Sequence, residues 1–184
     1  MIQNLELSYP AKPYKIRQGF GIFNPAYEQF GFNRHNGIDF AVDSDGIVVA
    51  MCKGVVRETG YNAGAGNYVR YRTKEMVRAE GYVGYVEFMV MHAKTILVKA
   101  GDEVMCGTPL IVADNTGFST GPHTHISAYF LDLKAGLKME IGSKDSDWCF
   151  DFSKYYNDKF ADDVKYWVEQ ISRIGKLIDG LFKR

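Results

Sequence analysis

A chain of 184 residues with 46% hydrophobic content suits one domain with a real core and is too apolar for a disordered segment. Its 22 Lys and Arg balance 22 Asp and Glu. That excludes the basic footprint of a nucleic-acid binder and any simple charge-driven attraction to anionic walls or membranes.

Residues 14–22 predict a strand running into a glycine turn, and residues 23–34 an aromatic-rich loop. Val48 to Val56 predicts a strand pair bent at Lys53 and Gly54, and Tyr61 to Gly66 a glycine-rich turn. Asn67 to Arg72 alternates as a strand does, and Lys74 to Gly84 predicts a hairpin or loop insertion. Tyr85 to His92 is expected to pair with the strand before it. Ile96 to Lys99, Leu110 to Ala113 and Thr124 to Phe130 complete a series of short strands punctuated by turns. That rhythm, with 19 glycines, 12 Phe and 12 Tyr, points to an all-β core.

The pattern changes near residue 153, which divides the chain into a domain over 1–152 and an appendage over 153–184. Val164, Trp167, Val168, Ile171, Ile174, Ile178, Leu181 and Phe182 recur at helical spacing. Asp162 and Asp163 precede them and Lys183 and Arg184 follow, as the helix dipole favours. A C-terminal amphipathic α-helix is expected. Such a helix normally packs its apolar face on its own domain or on another subunit, which leaves an oligomer open. A membrane-active tail is the alternative, disfavoured because the segment mixes seven Lys and Arg with five Asp and Glu. No apolar run reaches membrane-spanning length. The first residues lack the basic and apolar stretches of a signal peptide. The cysteines Cys52, Cys106 and Cys149 lack metal-ligand spacing and are expected to be buried, reduced thiols.

The chain has only four histidines, and their grouping carries the chemistry. His35 and Asp39 share His-Asn-Gly-Ile-Asp-Phe (35–40), where Gly37 disfavours a helix. His123 and His125 open a predicted strand, so their side chains share a face. Imidazoles with a carboxylate form a ligand set suited to zinc, and a catalytic zinc keeps three protein ligands and one open position. His92 ends the apolar run Glu-Phe-Met-Val-Met-His (87–92). No glutamate accompanies these motifs in the arrangement of a helical metallopeptidase, so histidines are the natural groups for proton transfer. No Gly-x-Ser-x-Gly elbow is present.

The same motifs, taken together, resemble the lysostaphin/LytM-type zinc endopeptidases that cut peptidoglycan. The resemblance runs over about residues 14–131. It includes Gly19-Phe20-Gly21, the segments 35–41, 47–50, 53–56 and 66–69, Met91-His92, Val-Lys-Ala-Gly-Asp-Glu-Val-Met-Cys-Gly (98–107) and Asn-Thr-Gly-Phe-Ser-Thr-Gly-Pro-His-Thr-His-Ile (115–126). It implies small antiparallel sheets with a central groove walled by loops. It further implies His35, Asp39 and His125 as zinc ligands and His92 and His123 as catalytic histidines, one the general base and the other steadying the oxyanion. Ala93 and Thr124 stand where such proteins often have leucine. The expected partner is peptidoglycan peptide, in the setting of a phage endolysin or a virion-borne wall hydrolase made in the cytoplasm. Two other readings compete: a non-catalytic binding or activator domain, and a structural virion component assembled through the C-terminal helix.

Overall fold

The computed structural model describes residues 2–12, 15–132 and 138–157. Among the described residues eleven strands run in chain order: β1 (Gln3–Asn4), β2 (Ile16–Gln18), β3 (Ile38–Phe40), β4 (Ile47–Val49), β5 (Gly54–Asn62), β6 (Gly66–Thr73), β7 (Val77–Ala79), β8 (Tyr82–Ile96), β9 (Glu103–Val104), β10 (Pro109–Ala113) and β11 (Thr124–Leu131). The central order is β2-β3-β11-β8-β6-β5-β9, and every pair along it is antiparallel. The short pair β1–β7 is parallel. The expected all-β core is therefore present. The C-terminal helix expected over 153–184 lies outside the described residues beyond Asn157.

The longest strand, β8, organises the rest. Its start pairs with β7 in the hairpin expected over 74–84, its middle lies between β6 and β11, and its end pairs with β10. Side chains alternate across a strand, and here the alternation separates a core from a floor. Val86, Phe88 and Val90 of β8, Val69 and Tyr71 of β6, and Ile126, Ala128 and Phe130 of β11 enter one large core. Glu87, Met89 and Met91, Arg70, and Ser127 and Tyr129 belong to the opposite face and line cavities there.

The strand expected at Ile96–Lys99 is corrected: β8 ends at Ile96. Leu97 still donates to the Leu110 carbonyl, but the backbone then turns, and Lys99 N–H donates to the Asp102 carboxylate. The aromatic loop contains a 3-10 helix, Pro25–Phe30, capped by the Asn24 side chain, which accepts from Ala26 N–H.

The core is closed by both flanks of the described chain. Leu5 and Leu7 join it from one side, Phe150 and Phe152 from the other. Leu7 N–H donates to the Tyr155 carbonyl, and Asn157 N–H to the Leu7 carbonyl. The Phe152 ring is fully buried and meets Phe88 and Tyr156 edge-on, with centroids 5.9 and 6.0 Å away. Phe152→Ala should therefore cost about 3–5 kcal/mol in urea unfolding; a cost below about 1 kcal/mol would show that this segment does not hold the core.

Candidate metal centre

Asp39 and His125 face each other directly across the β3–β11 ladder, as register partners. A cross-strand pair shares one face, so two residues 86 positions apart meet without any help from a loop. His35 reaches the same point from the segment before β3. Its Nε2 lies 3.1 Å from Asp39 Oδ1 and 3.0 Å from His125 Nδ1, and His125 Nδ1 lies 2.8 Å from Asp39 Oδ1. All three residues are buried. The candidate ligand atoms fall within 4.8 Å of one another, a cluster that suggests a metal site.

Gly37 permits this approach. A Cβ there would run into the Ile126 carbonyl oxygen and the His125 ring. The glycine expected merely to discourage a helix is also where backbone and imidazole meet.

Hydrogen bonds fix the ring tautomers. His35 Nδ1 lies 2.7 Å from the Gly19 carbonyl oxygen. A carbonyl only accepts, so Nδ1 carries the proton and Nε2 turns a lone pair toward Asp39 and His125. Asp39 is ionised. Burial works to raise its carboxyl, but the adjoining His125 and His35 imidazoles outweigh that and hold it far below the usual carboxylate range. Burial pushes the His125 pKa down. Three candidate ligand atoms thus converge on one point, and their spacing is close to what a cation needs. Tetrahedral ligands at about 2.0–2.1 Å from zinc stand about 3.3 Å apart, a few tenths of an ångström wider than the separations here.

His92 and His123 stand beside this cluster. Their ring centroids are 4.7 Å apart, and His92 is 6.3 Å from His125. His123 Nε2 lies 3.7 Å from Asp39 Oδ1. His92 Nδ1 donates to the Thr116 carbonyl and His123 Nδ1 to the Gly121 carbonyl, each at 2.7 Å. In each neutral ring Nε2 is therefore free to accept a proton. Burial, then the neighbouring His125 and His123, pushes His92 down to about 4, so it is neutral at neutral pH.

The sequence alone places His92 at a strand end. The structure shows it inside β8 at φ 66°, a left-handed conformation that a non-glycine residue adopts at a cost. The β6–β8 register shifts beside it, between Asn67 and Val69. This irregularity brings His92 to the side of the sheet where the other histidines lie. Thr116 holds it there: its carbonyl accepts from His92, and its hydroxyl accepts from Asn67 N–H and donates to the Ala93 carbonyl. Gly66, at φ 64°, lets the β5–β6 turn lie directly on Thr116, where a Cβ would collide. Thr116, Gly121 and Gly19 act through backbone carbonyls, which leave no side-chain signature; only the motifs around them pointed this way.

All five residues singled out in the sequence line one cavity of about 460 Å³. Its walls are aromatic. Phe30 of the 3-10 segment and Phe118 of the loop before His123 meet edge-on at 5.2 Å, and Tyr27 stacks beside His35 at 5.9 Å.

Known proteins resemble this chain in sequence and fold. The chain is 32% identical over 126 residues to an uncharacterized metalloprotease of Buchnera aphidicola subsp. Baizongia pistaciae, covering 67% of this chain and 31% of that protein. It is 37% identical over 91 residues to the peptidoglycan DD-endopeptidase ShyA of Vibrio cholerae, covering 50% and 19%. The chain thus spans less than a third of the length of these curated relatives. Among solved structures, a zinc-containing peptidase from Vibrio cholerae superposes with a TM-score of 0.55 at 27% identity, over 70% of this chain and 36% of that one. The catalytic domain of lysostaphin from Staphylococcus simulans shares the fold, with a TM-score of 0.56 at 24% identity over 74% and 87%. Residues 33–135, which hold both metal-type motifs, His92 and His123, match a single family, and the chain is a member of peptidase family M23.

Proposed function

We propose that this chain is a zinc-dependent endopeptidase that hydrolyses peptide bonds in the stems or cross-bridges of peptidoglycan. The observation that carries the reading is the convergence of His35 Nε2, Asp39 Oδ1 and His125 Nδ1 beside two further histidines whose Nε2 atoms are free to accept a proton. Two imidazoles and a carboxylate suit zinc. The peptidoglycan assignment is supported by the likeness to ShyA.

In this reading His35, Asp39 and His125 hold the metal. Zinc bound there supplies Lewis acidity, polarising a peptide carbonyl and making water a better nucleophile. His92 and His123 do the proton work. One accepts a proton at Nε2 as water adds to the carbonyl carbon, and returns it to the amine nitrogen as the C–N bond breaks. Close positive charges repel, so protonation of one ring disfavours that of the other. The two rings therefore divide the work: the neutral one takes the proton, and the protonated one donates from Nε2 to the oxyanion. The Thr116 and Gly121 carbonyls keep both rings aimed.

Removing metal with EDTA should abolish digestion of purified peptidoglycan, and one equivalent of zinc should restore it. Undiminished digestion by fully metal-free protein would overturn the reading.

A further inference from the structure

The geometry points to a carboxylate-binding subsite on the sheet floor, centred on Arg70, that selects peptides bearing a free carboxylate over neutral ones such as oligoglycine. The inference rests on the peptidase reading of the neighbouring cluster.

A second cavity, of about 390 Å³, lies beside the first. Arg70, Met89, Met91 and Asn36 line both, so the two form one continuous floor. Arg70 is the charged side chain at their junction. A peptide held at the histidine cluster and extended along this floor passes over it.

The second cavity is built by a defect in β5. The β5–β6 register shifts between Val56 and Glu58. Without that extra residue, Arg57 and Glu58 would point to opposite faces; with it, both line the cavity. Glu58 sits across from Arg70. Arg57 reaches past β6 to Glu87 on β8, which is buried and also takes the Tyr129 hydroxyl.

The lining holds three cations, Arg57, Arg70 and Lys138, and three carboxylates, Glu58, Glu87 and Asp147, of which Lys138 and Asp147 pair with each other. Both oxygens of Glu87 are engaged, one by Tyr129 and one by Arg57. Both oxygens of Glu58 are engaged too, one by the Tyr68 hydroxyl and one by Arg70. Each guanidinium carries five N–H donors. Among the described residues Arg70 gives one, to Glu58 at 3.3 Å, and its Nε has no partner. Arg57 approaches Glu87 only to 3.5 Å. Both contacts exceed the 2.7–2.9 Å typical of charge-assisted pairs. The two side chains stay 35% and 38% exposed. Two loosely held guanidinium groups, one with an unpartnered Nε, beside carboxylates that already carry partners leave N–H donors for an added anion.

The test measures binding, so that it stands apart from cleavage. End-blocked pentaglycine peptides carry one aspartate at each position in turn, or asparagine in its place. Their affinity is measured for the zinc-loaded full chain with the His123→Ala substitution. At least one position should show about a ten-fold or greater preference for aspartate. Arg70→Gln should bring that ratio close to one, and Arg70→Lys should keep part of it. No preference at any position in the parent protein overturns the proposal, as does a preference that survives Arg70→Gln. A preference for aspartate in a chain whose wild type digests no peptidoglycan would uphold the subsite and defeat the hydrolase reading.

Discussion

His123→Ala is expected to slow peptidoglycan digestion by about 100- to 10,000-fold, the range that a positioned acid or base contributes, while the protein keeps its full metal content. The two halves of this result come from separate geometry. His123 Nδ1 is committed to the Gly121 carbonyl, and its Nε2 lies 3.7 Å from Asp39 Oδ1, beyond a direct hydrogen bond. The three converging atoms belong to other side chains and keep their contacts when the ring is removed. Rate and metal content should therefore separate in this variant. Normal digestion by His123→Ala would end its assignment to proton transfer. Loss of metal would move it into the ligand set.

Asp39→Ala should show the opposite pattern, in which rate and metal fall together. Asp39 Oδ1 is the only anionic member of the cluster and lies within 3.1 Å of both imidazole nitrogens. Replacing even an outer-shell partner of a metal typically costs 10- to 100-fold in affinity, so losing this carboxylate should cost at least about 100-fold. Metal analysis after gel filtration at a low chelator concentration would read this directly. Digestion should be undetectable in the same sample. A variant that retains one metal per chain would show that His35 and His125 hold it with some other group.

Much of this centre was legible in the sequence because its pieces obey strand geometry. His125 sits where its spacing from His123 put it, and Asp39 meets it as a cross-strand partner. Short strands and glycine turns announced the β core. Long-range register was not legible. Nothing in Glu-Phe-Met-Val-Met-His (87–92) shows that β8 continues to Ile96 or that His92 takes a positive φ. That conformation is held by Ala65, which accepts from His92 N–H, and by Thr116, residues distant in sequence. The β5 irregularity was hidden for the same reason: a bulge is defined by two strands together, and Arg57-Glu58 alone looks like an ordinary exposed pair. In the sequence Gly37 reads only as a residue that disfavours a helix. Its role is close approach to His125, visible only once the two motifs are brought together.

The proposed chemistry depends on one metal held by three residues. Crystals of zinc-loaded protein, measured on either side of the zinc absorption edge, test it most directly. The expected result is a single anomalous peak bonded to His35 Nε2, Asp39 Oδ1 and His125 Nδ1, with His92 and His123 beside it and unbonded. A peak bonded to His92 or His123, or no peak among these residues, would contradict the account.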